Sequence, residues 1–209
     1  MTMKRLIALF CACLALMNPL PSVADIVPPD VLVRSVTDEV LAIVRTDKTI
    51  QSGNTQRVLE LVDVKLLPHF DFTRMTMLAV GRDWTGASPE QRTRLIDAFR
   101  TLLVRTYASA LTRYRDQKIE IKPLRMTETD TRVQIQTQVL QPGATPLAID
   151  YMLHKTGQGW QVFDVVVEGS SLVTSYRSNF AQEVNAGGVD GLIKAIEAKN
   201  RSLVERARS

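Results

Sequence analysis

The chain has 209 residues, of which 45% are hydrophobic, 6% aromatic and 23% charged, and its formal net charge is +4. These proportions are those of an ordinary globular protein. They exclude an intrinsically disordered chain, a collagen-like chain and a small disulfide-built protein, because glycine, proline and cysteine are not enriched.

Residues 1–24 have the pattern of a secretory signal peptide. Lys4 and Arg5 give its start a positive charge, residues 6–17 are an apolar run, and Ser22-Val23-Ala24 are small residues typical of a cleavage site. The apolar run has 12 residues, whereas a membrane-spanning helix needs roughly 20. We therefore expect cleavage after Ala24 and export of the remaining chain.

Both cysteines, Cys11 and Cys13, lie inside this segment. A lipid anchor on Cys13 is the weaker alternative, because the preceding Phe10-Cys11-Ala12 is a poor lipidation motif. Removing 24 residues from 209 leaves 185, a single domain at 25–209 with no cysteine and a charge of +2. This charge excludes a nucleic-acid binder. No second segment approaches membrane length, so we expect a soluble monomer stabilised by its core.

Helical patterns fill the first half of the exported chain. Pro28-Pro29-Asp30 opens a first helix, with Asp30 as its expected N-cap, and Pro68 ends a second helix. A third helix is predicted from Asp71 to Val80, with Gly81 as its stop.

A longer amphipathic helix follows, and its start is the clearest in the chain. In Ser88-Pro89-Glu90-Gln91 the serine can cap the helix, the proline suits the first helical position, and the glutamine can complete a capping box. One apolar stripe with helical spacing then continues to the end of this segment. Its members are Ile96, Phe99, Leu103, Tyr107, Ala110 and Tyr114.

From Lys118 the hydrophobic period changes to two, which is typical of strands. Four strands joined by short turns are predicted at residues 118–121, 133–139, 147–153 and 160–167. The last strand is apolar on both faces, so we expect cover on each side. Helical spacing returns from Leu172, with a break at Gly187-Gly188. The predicted fold is α+β, with helices packed over one curved antiparallel four-stranded sheet.

Catalytic motifs are absent from the sequence, which lacks the zinc-protease, P-loop, nucleophile-elbow and paired CxxC patterns. His69 and His154 are expected to have structural or solvent-facing roles. Asp164 is unusual because it lies inside an apolar strand. It could be a general base in a secreted isomerase- or hydrolase-like enzyme, acting with Tyr151 or His154. The alternative, which we favour, is that neighbouring groups donate hydrogen bonds to its carboxylate.

The long helix is also rich in arginine off its apolar stripe, for example at Arg92, Arg94, Arg100, Arg105 and Arg113. A solvated face is the simpler interpretation of these residues. A docking surface for an acidic partner or for lipid phosphates is the functional alternative, since arginine recognises both.

Three runs together resemble the MlaC family, the periplasmic phospholipid carriers also called toluene-tolerance or Tgt2-type proteins. The first is Phe70-Asp71-Phe72 followed by Gly81 and Trp84, and the second joins Glu90-Gln91-Arg92 to Phe99, Leu102-Leu103 and Tyr107. The third runs from Trp160-Gln161-Val162-Phe163-Asp164-Val165 through Glu168-Gly169 and Ser171-Leu172-Val173 to Tyr176 and Phe180. With the signal segment, the similarity covers nearly the whole exported chain.

The resemblance implies a soluble carrier in a Gram-negative periplasm that is not an enzyme. Such a protein holds phospholipid tails in an apolar cavity between the sheet and the helices, with the headgroup outside. It has no cofactor, and phospholipid is its cargo. The implied partners are an inner-membrane ABC transporter of the MCE type and an outer-membrane lipoprotein associated with porins, which together maintain lipid asymmetry of the outer membrane.

Tail contact requires surplus apolar surface that faces inward, so candidates come from the long helix, the sheet and the helix after it. Met75 is added as an adaptable wall. The equally weighted alternative for each candidate is an ordinary core position. The candidates are Met75, Ile96, Phe99, Leu103, Tyr107, Val133, Ile135, Ile149, Tyr151, Val162, Val165, Leu172, Val173 and Tyr176.

Overall fold

The computed structural model describes residues 26–114 and 117–208. The predicted signal segment, its cleavage site and both cysteines lie outside the described residues. Helices occupy the described chain up to residue 112. They are α1 (Pro29–Thr46), α2 (Lys48–Gln51), α3 (Thr55–Lys65), α4 (Phe72–Val80), α5 (Pro89–Tyr107) and α6 (Ser109–Thr112), with 3-10 turns at Leu67–His69 and Gly81–Gly86.

An antiparallel sheet follows, and each strand pairs with the next in chain order. Its strands are β1 (Lys118–Ile121), β2 (Arg132–Leu140), β3 (Leu147–Thr156), β4 (Gly159–Val167) and β5 (Ser170–Ser171). The α+β class and the meander are confirmed. The predicted number of four strands is one too low, because β5 has two residues and is too short to show a period of two.

Two helices complete the described chain, α7 (Leu172–Ser175) and α8 (Arg177–Arg208). The predicted break at Gly187-Gly188 is confirmed, since both glycines have non-helical backbone angles within α8. Gly188 has φ of 65°, a left-handed value that glycine adopts without steric cost. No helix in the described ranges is both long and apolar enough to cross a membrane.

The capping box predicted at the start of α5 is present. Ser88 Oγ accepts from the Gln91 N–H at 3.2 Å, and Gln91 Oε1 accepts from the Ser88 N–H at 3.0 Å. The predicted N-cap of α1 is wrong by two residues, because the N-cap is Pro28 rather than Asp30. Pro29 at the first helical position has a fixed φ that suits the helix and lacks the N–H that would be unpaired there.

The long apolar stripe does not belong to one continuous helix. Helix α5 ends at Tyr107, and the short α6 follows it. Tyr114 turns toward α1, where the Arg45 Nη2 donates to its hydroxyl at 2.9 Å and the guanidinium lies 5.6 Å from the ring centroid. Tertiary contact with α1 therefore overrides the helical spacing at the end of the stripe.

If the side chains of β4 simply alternated, both of its faces would be apolar. A β-bulge between β3 and β4 changes this pattern. Leu153 pairs with Val162, but Met152 pairs with Asp164. Leu153 and Tyr151 share one face of β3, so their partners Val162 and Val165 share that face although they are three residues apart. The bulge thus directs more valine side chains to one side of the sheet than alternation alone would.

Buried apolar side chains form three separate clusters in the described structure. The helical core lies between α4, α5, α7 and α8 and includes Phe99 and Leu192. The N-terminal core joins α1, α2 and α3 to α6 and includes Ile50. The sheet core lies where the start of α1 meets the sheet and includes Ile135 and Leu153.

Candidate functional site

An apolar cavity of about 310 Å³ lies where these three cores meet. Among the residues that the structure describes, every one in its lining is aliphatic, aromatic or methionine, and none carries a charge. The lining residues are Val62, Leu66, Leu67, Phe70, Phe72, Met75, Leu103, Val104, Tyr107, Ala108, Ala110, Leu111, Ile149, Tyr151, Val165, Val167 and Leu172. Such a lining can make contact with an apolar ligand over its whole surface. It has no counter-charge for an ionic ligand.

The sheet supplies one wall of the cavity through strand register. Ile149 pairs with Val167 and Tyr151 pairs with Val165, which brings four lining side chains onto one face. The bulge nearer the start of β4 sets this alignment, because it determines which of the consecutive valines face the helices.

The helices supply the opposite wall. Val62 on α3 and Leu103 on α5 are buried, and Met75 on α4 is only 3% exposed. At the junction of α5 and α6 the wall is formed by the small residues Ala108 and Ala110. These short side chains leave space that larger residues would fill.

The cavity reaches the surface near the end of α5. Tyr107 is 42% exposed although it also lines the cavity, and Ala110 on α6 is exposed as well. These two residues mark the mouth at the junction of α5 and α6.

Two tyrosines near the cavity remain neutral well above ordinary pH. Burial raises the pKa of Tyr151. Burial and, secondarily, the neighbouring Tyr107 hydroxyl raise the pKa of Tyr176 to about 12. Neither tyrosine therefore introduces a charge beside the apolar wall.

Half of the predicted tail-contact residues line this cavity and half lie elsewhere. Those that line it are Met75, Leu103, Tyr107, Ile149, Tyr151, Val165 and Leu172. Those outside its lining are Ile96, Phe99, Val133, Ile135, Val162, Val173 and Tyr176. The division follows the cores, since Phe99, Tyr176 and Val173 pack in the helical core and Val133, Ile135 and Val162 in the sheet core. Ile96 is half-buried on α5.

Phe99 illustrates why the helical stripe includes residues outside the cavity lining. Its ring makes edge-to-face contacts with Tyr176 and Phe180 at centroid distances of 5.1 and 5.2 Å. These contacts tie the middle of α5 to Tyr176 and to the start of α8, so only the last turns of α5 face the cavity.

Sequence reasoning did not identify the wall between α3 and α4. This segment contributes Val62, Leu66, Leu67, Phe70 and Phe72. The apolar Leu66-Leu67 pair and the Phe70-Asp71-Phe72 run were the available signals. The two phenylalanines flank a polar residue in a short connection, where apolar periodicity cannot be measured.

Asp164 is held by hydrogen bonds at the start of α7. Its Oδ1 accepts from the backbone N–H of Val165 at 2.8 Å and of Val173 at 3.2 Å, and Ser171 Oγ donates to its Oδ2. This is the structural role that we favoured on sequence grounds. Asp164 does not line the cavity. It pairs with Met152, which neighbours Tyr151 on β3 and points to the other face, so the side chains of Asp164 and Tyr151 leave the sheet on opposite faces.

His154 is also engaged away from the cavity. Its Nε2 lies 2.9 Å from Oδ2 of Asp71, whose Oδ1 accepts from the Arg74 N–H and caps α4. The catalytic group suggested for an enzyme, Asp164 with Tyr151 or His154, is therefore not assembled at the cavity. Among the described residues, no cluster of histidine, cysteine, aspartate or glutamate could hold a metal ion.

Three arginines of α5 contact other side chains of the protein in different ways. Arg94 forms an ion pair with Glu197 of α8 at 2.9 Å, and Arg100 pairs with Asp97 at 3.2 Å. The Arg92 guanidinium lies 5.3 Å from the Trp84 ring centroid. Part of the arginine face therefore contacts the protein itself.

A family model and two curated proteins match most of this chain. The sequence model of the MlaC protein family matches residues 34–198. The intermembrane phospholipid transport system binding protein MlaC of Haemophilus influenzae is 24% identical over 172 residues, covering 81% of this chain and 80% of that protein. The toluene tolerance protein ttg2D of Pseudomonas putida is 26% identical over 173 residues, covering 82% and 80%.

A solved structure shares the fold at higher identity. The phospholipid-binding protein from Ralstonia solanacearum, determined in complex with a phospholipid, is 39% identical and superposes with a TM-score of 0.79. The match covers 84% of this chain and 98% of that one. The family match over most of the chain and the shared fold lead to one conclusion: the chain belongs to the MlaC family.

Proposed function

We propose that this protein is a phospholipid carrier that shields acyl tails in the cavity between its sheet and helices. The observation that carries the proposal is a cavity of about 310 Å³ that has no charged residue in its lining within the part of the chain that the structure describes. The Ralstonia solanacearum protein, which has the same fold and was solved with a phospholipid, supports it. Carriage needs no catalytic residue, in keeping with the structural roles of Asp164 and His154.

Burial of the tails would make the complex long-lived in water. Two tails of a common phospholipid carry roughly 30 methylenes, and at about 0.8 kcal/mol each their removal from water is worth on the order of 24 kcal/mol before any cost. Non-covalent affinity saturates near roughly 20 kcal/mol, and ordering costs reduce it further. Release into water would still be slow, so unloading requires docking on an apolar acceptor.

Seven of the candidate residues are proposed to contact the tails, since they line the cavity: Met75, Leu103, Tyr107, Ile149, Tyr151, Val165 and Leu172. The exposed Tyr107 would lie where the tails enter. The wall between α3 and α4, including Phe70 and Phe72, would contact them as well.

We further propose that the carrier works in the periplasm. Its predicted signal segment supports export, and the name of the Haemophilus influenzae relative places that protein in intermembrane phospholipid transport. Its partners would be an inner-membrane ABC transporter of the MCE type and an outer-membrane lipoprotein–porin complex. Exchange between them would maintain lipid asymmetry of the outer membrane.

The test is to purify the exported protein without detergent, extract it with organic solvent and analyse the extract by mass spectrometry. Phospholipid at near one equivalent per chain is expected. A protein that is consistently free of phospholipid, and that takes none up from phospholipid vesicles, would overturn the proposed function.

A further inference from the structure

Two hydroxyl groups interrupt the apolar lining of the cavity. Within the described lining, Tyr107 and Tyr151 are the residues whose side chains carry a strong hydrogen-bond donor. Tyr107 is 42% exposed at the mouth, so bulk water can reach its hydroxyl. Tyr151 lies on the sheet wall, on the face of β3 that is turned toward the helices. The two hydroxyls therefore have different surroundings.

The Tyr151 hydroxyl lacks a partner among the residues that the structure describes. It forms no hydrogen bond with any of them, whereas the Tyr114 hydroxyl accepts one from Arg45 at 2.9 Å. It is not sealed inside the protein either, since it is not one of the fully enclosed polar side-chain atoms without a partner in the described ranges. Because burial raises the pKa of Tyr151, the hydroxyl keeps its proton. It is an unused donor that opens on the cavity.

An apolar ligand that covers this hydroxyl leaves it unpaired. Any water bonded to the hydroxyl would be displaced, and hydrocarbon cannot replace that hydrogen bond. The tail end of a phospholipid carries one kind of uncharged acceptor, the ester carbonyls that join the tails to glycerol directly behind the headgroup. A cavity of about 310 Å³ is at the lower end of ligand-pocket volumes, so Tyr151 lies within one cavity width of the mouth. The ester carbonyls of an entering lipid would be at that depth.

We propose that the Tyr151 hydroxyl donates a hydrogen bond to an ester carbonyl oxygen of the bound phospholipid, which makes the cavity selective for acyl esters over alkyl ethers. The inference rests on the proposed function and adds a specificity-determining residue to it. A dialkyl ether lipid with chains of equal length fills the same space but has no carbonyl oxygen. It would leave the buried donor unpaired, and a site built around a hydrogen bond rejects a ligand that lacks the partner group.

Competition between two lipids that differ only at the linkage tests this assignment. Delipidated protein is mixed with equal amounts of diester and diether phosphatidylglycerol, which have the same headgroup and chains of equal length. The protein is re-isolated, and both bound lipids are measured by mass spectrometry. The variants are Tyr151→Phe, Tyr107→Phe and the control Tyr114→Phe. Tyr114 does not line the cavity, so the control loses the same chemical group elsewhere in the fold.

The wild-type protein is expected to prefer the diester lipid. Tyr151→Phe should lower the bound ratio of diester to diether lipid by about five-fold. Total lipid should remain near one equivalent in this variant, because phenylalanine keeps the ring and its apolar contacts. Tyr107→Phe should keep most of the preference, since water at the mouth can satisfy the Tyr107 hydroxyl with either lipid. Tyr114→Phe should have the wild-type ratio.

Infrared spectroscopy measures the same contact directly. When the diester lipid carries isotope-labelled ester carbonyls, the carbonyl band of the bound lipid should move to higher wavenumber in Tyr151→Phe, because a carbonyl that loses a hydrogen bond has a stiffer C=O bond. The band should not move in Tyr114→Phe. A change in packing alone would alter the lipid ratio without this shift.

Equal lipid ratios in the wild-type protein and in Tyr151→Phe would overturn the assignment while leaving the carrier function intact. The same holds if the carbonyl band stays in place in Tyr151→Phe, or if Tyr107→Phe alone removes the preference. A wild-type protein that loads neither lipid would overturn both the assignment and the proposed function.

Discussion

Asp164 joins the end of the sheet to the helix that follows it. Its carboxylate accepts hydrogen bonds from two backbone N–H groups and from the Ser171 hydroxyl, and Ser171 Oγ in turn accepts from the Thr174 N–H at 2.9 Å. A buried carboxylate is tolerated when it is satisfied in this way. The residue therefore fixes the start of α7, from which Leu172 reaches the cavity and Val173 the helical core.

Replacing Asp164 should affect stability more than lipid binding. Asp164→Ala leaves buried donors without an acceptor and should lower the free energy of unfolding by about 1–3 kcal/mol. Asp164→Asn keeps an acceptor oxygen and should cost less. Urea unfolding measures the change in stability. The amount of lipid extracted from the folded variants measures the change in lipid binding. Loss of bound lipid in a stably folded Asp164→Asn protein would contradict this structural role.

Helix α5 has two functions along its length. Its first half packs into the helical core through Leu95 and Phe99, which are fully buried. Its last turns line the cavity through Leu103, Val104 and Tyr107. The same apolar stripe therefore stabilises the fold at one end and provides the site at the other.

Truncating one leucine in each half should separate these roles. Leu95→Ala leaves a hole in a packed core and should cost about 2–5 kcal/mol of unfolding free energy. Leu103→Ala should cost less, because part of its surface already faces the cavity. It should also enlarge the cavity and shift the bound lipids toward longer tails. Urea unfolding and mass spectrometry of the extracted lipid test both statements, and an equal cost at the two positions would contradict the division.

Most elements could be predicted from sequence because their signals are local. The capping box at Ser88 and the glycine break at Gly187-Gly188 depend on a few neighbouring residues. The bulge at Met152 could not be predicted, because it depends on how two strands align. Half of the predicted tail-contact residues line the cavity, and the reason is the same. Periodicity shows that Phe99 and Leu103 both face inward. Only the tertiary packing shows that Phe99 contacts aromatic rings whereas Leu103 lines the cavity.

On the scale of the whole molecule, the cavity is the space left between three cores. The helical core contributes Met75, the N-terminal core contributes Val62, and Tyr151 and Val165 pack against the sheet core. Close packing within each core resists deformation, whereas the boundary between cores has fewer such contacts to lose. The fold thus keeps an apolar space that a single well-packed core would have closed.

Filling this space should therefore increase stability at the expense of lipid binding. Ala108 is buried and lines the cavity, whereas Ala79 is buried in the helical core away from it. Ala79→Phe should lower the free energy of unfolding by about 1–3 kcal/mol or more, because no space exists for the ring. Ala108→Phe can place its ring in the cavity, so it should be neutral or stabilising when lipid is absent, and it should bind less phospholipid. Thermal unfolding of delipidated protein and lipid quantification after vesicle exposure measure the two effects. If Ala108→Phe destabilised the protein as much as Ala79→Phe, or if it retained full lipid loading, the cavity would not be the space that the tails occupy.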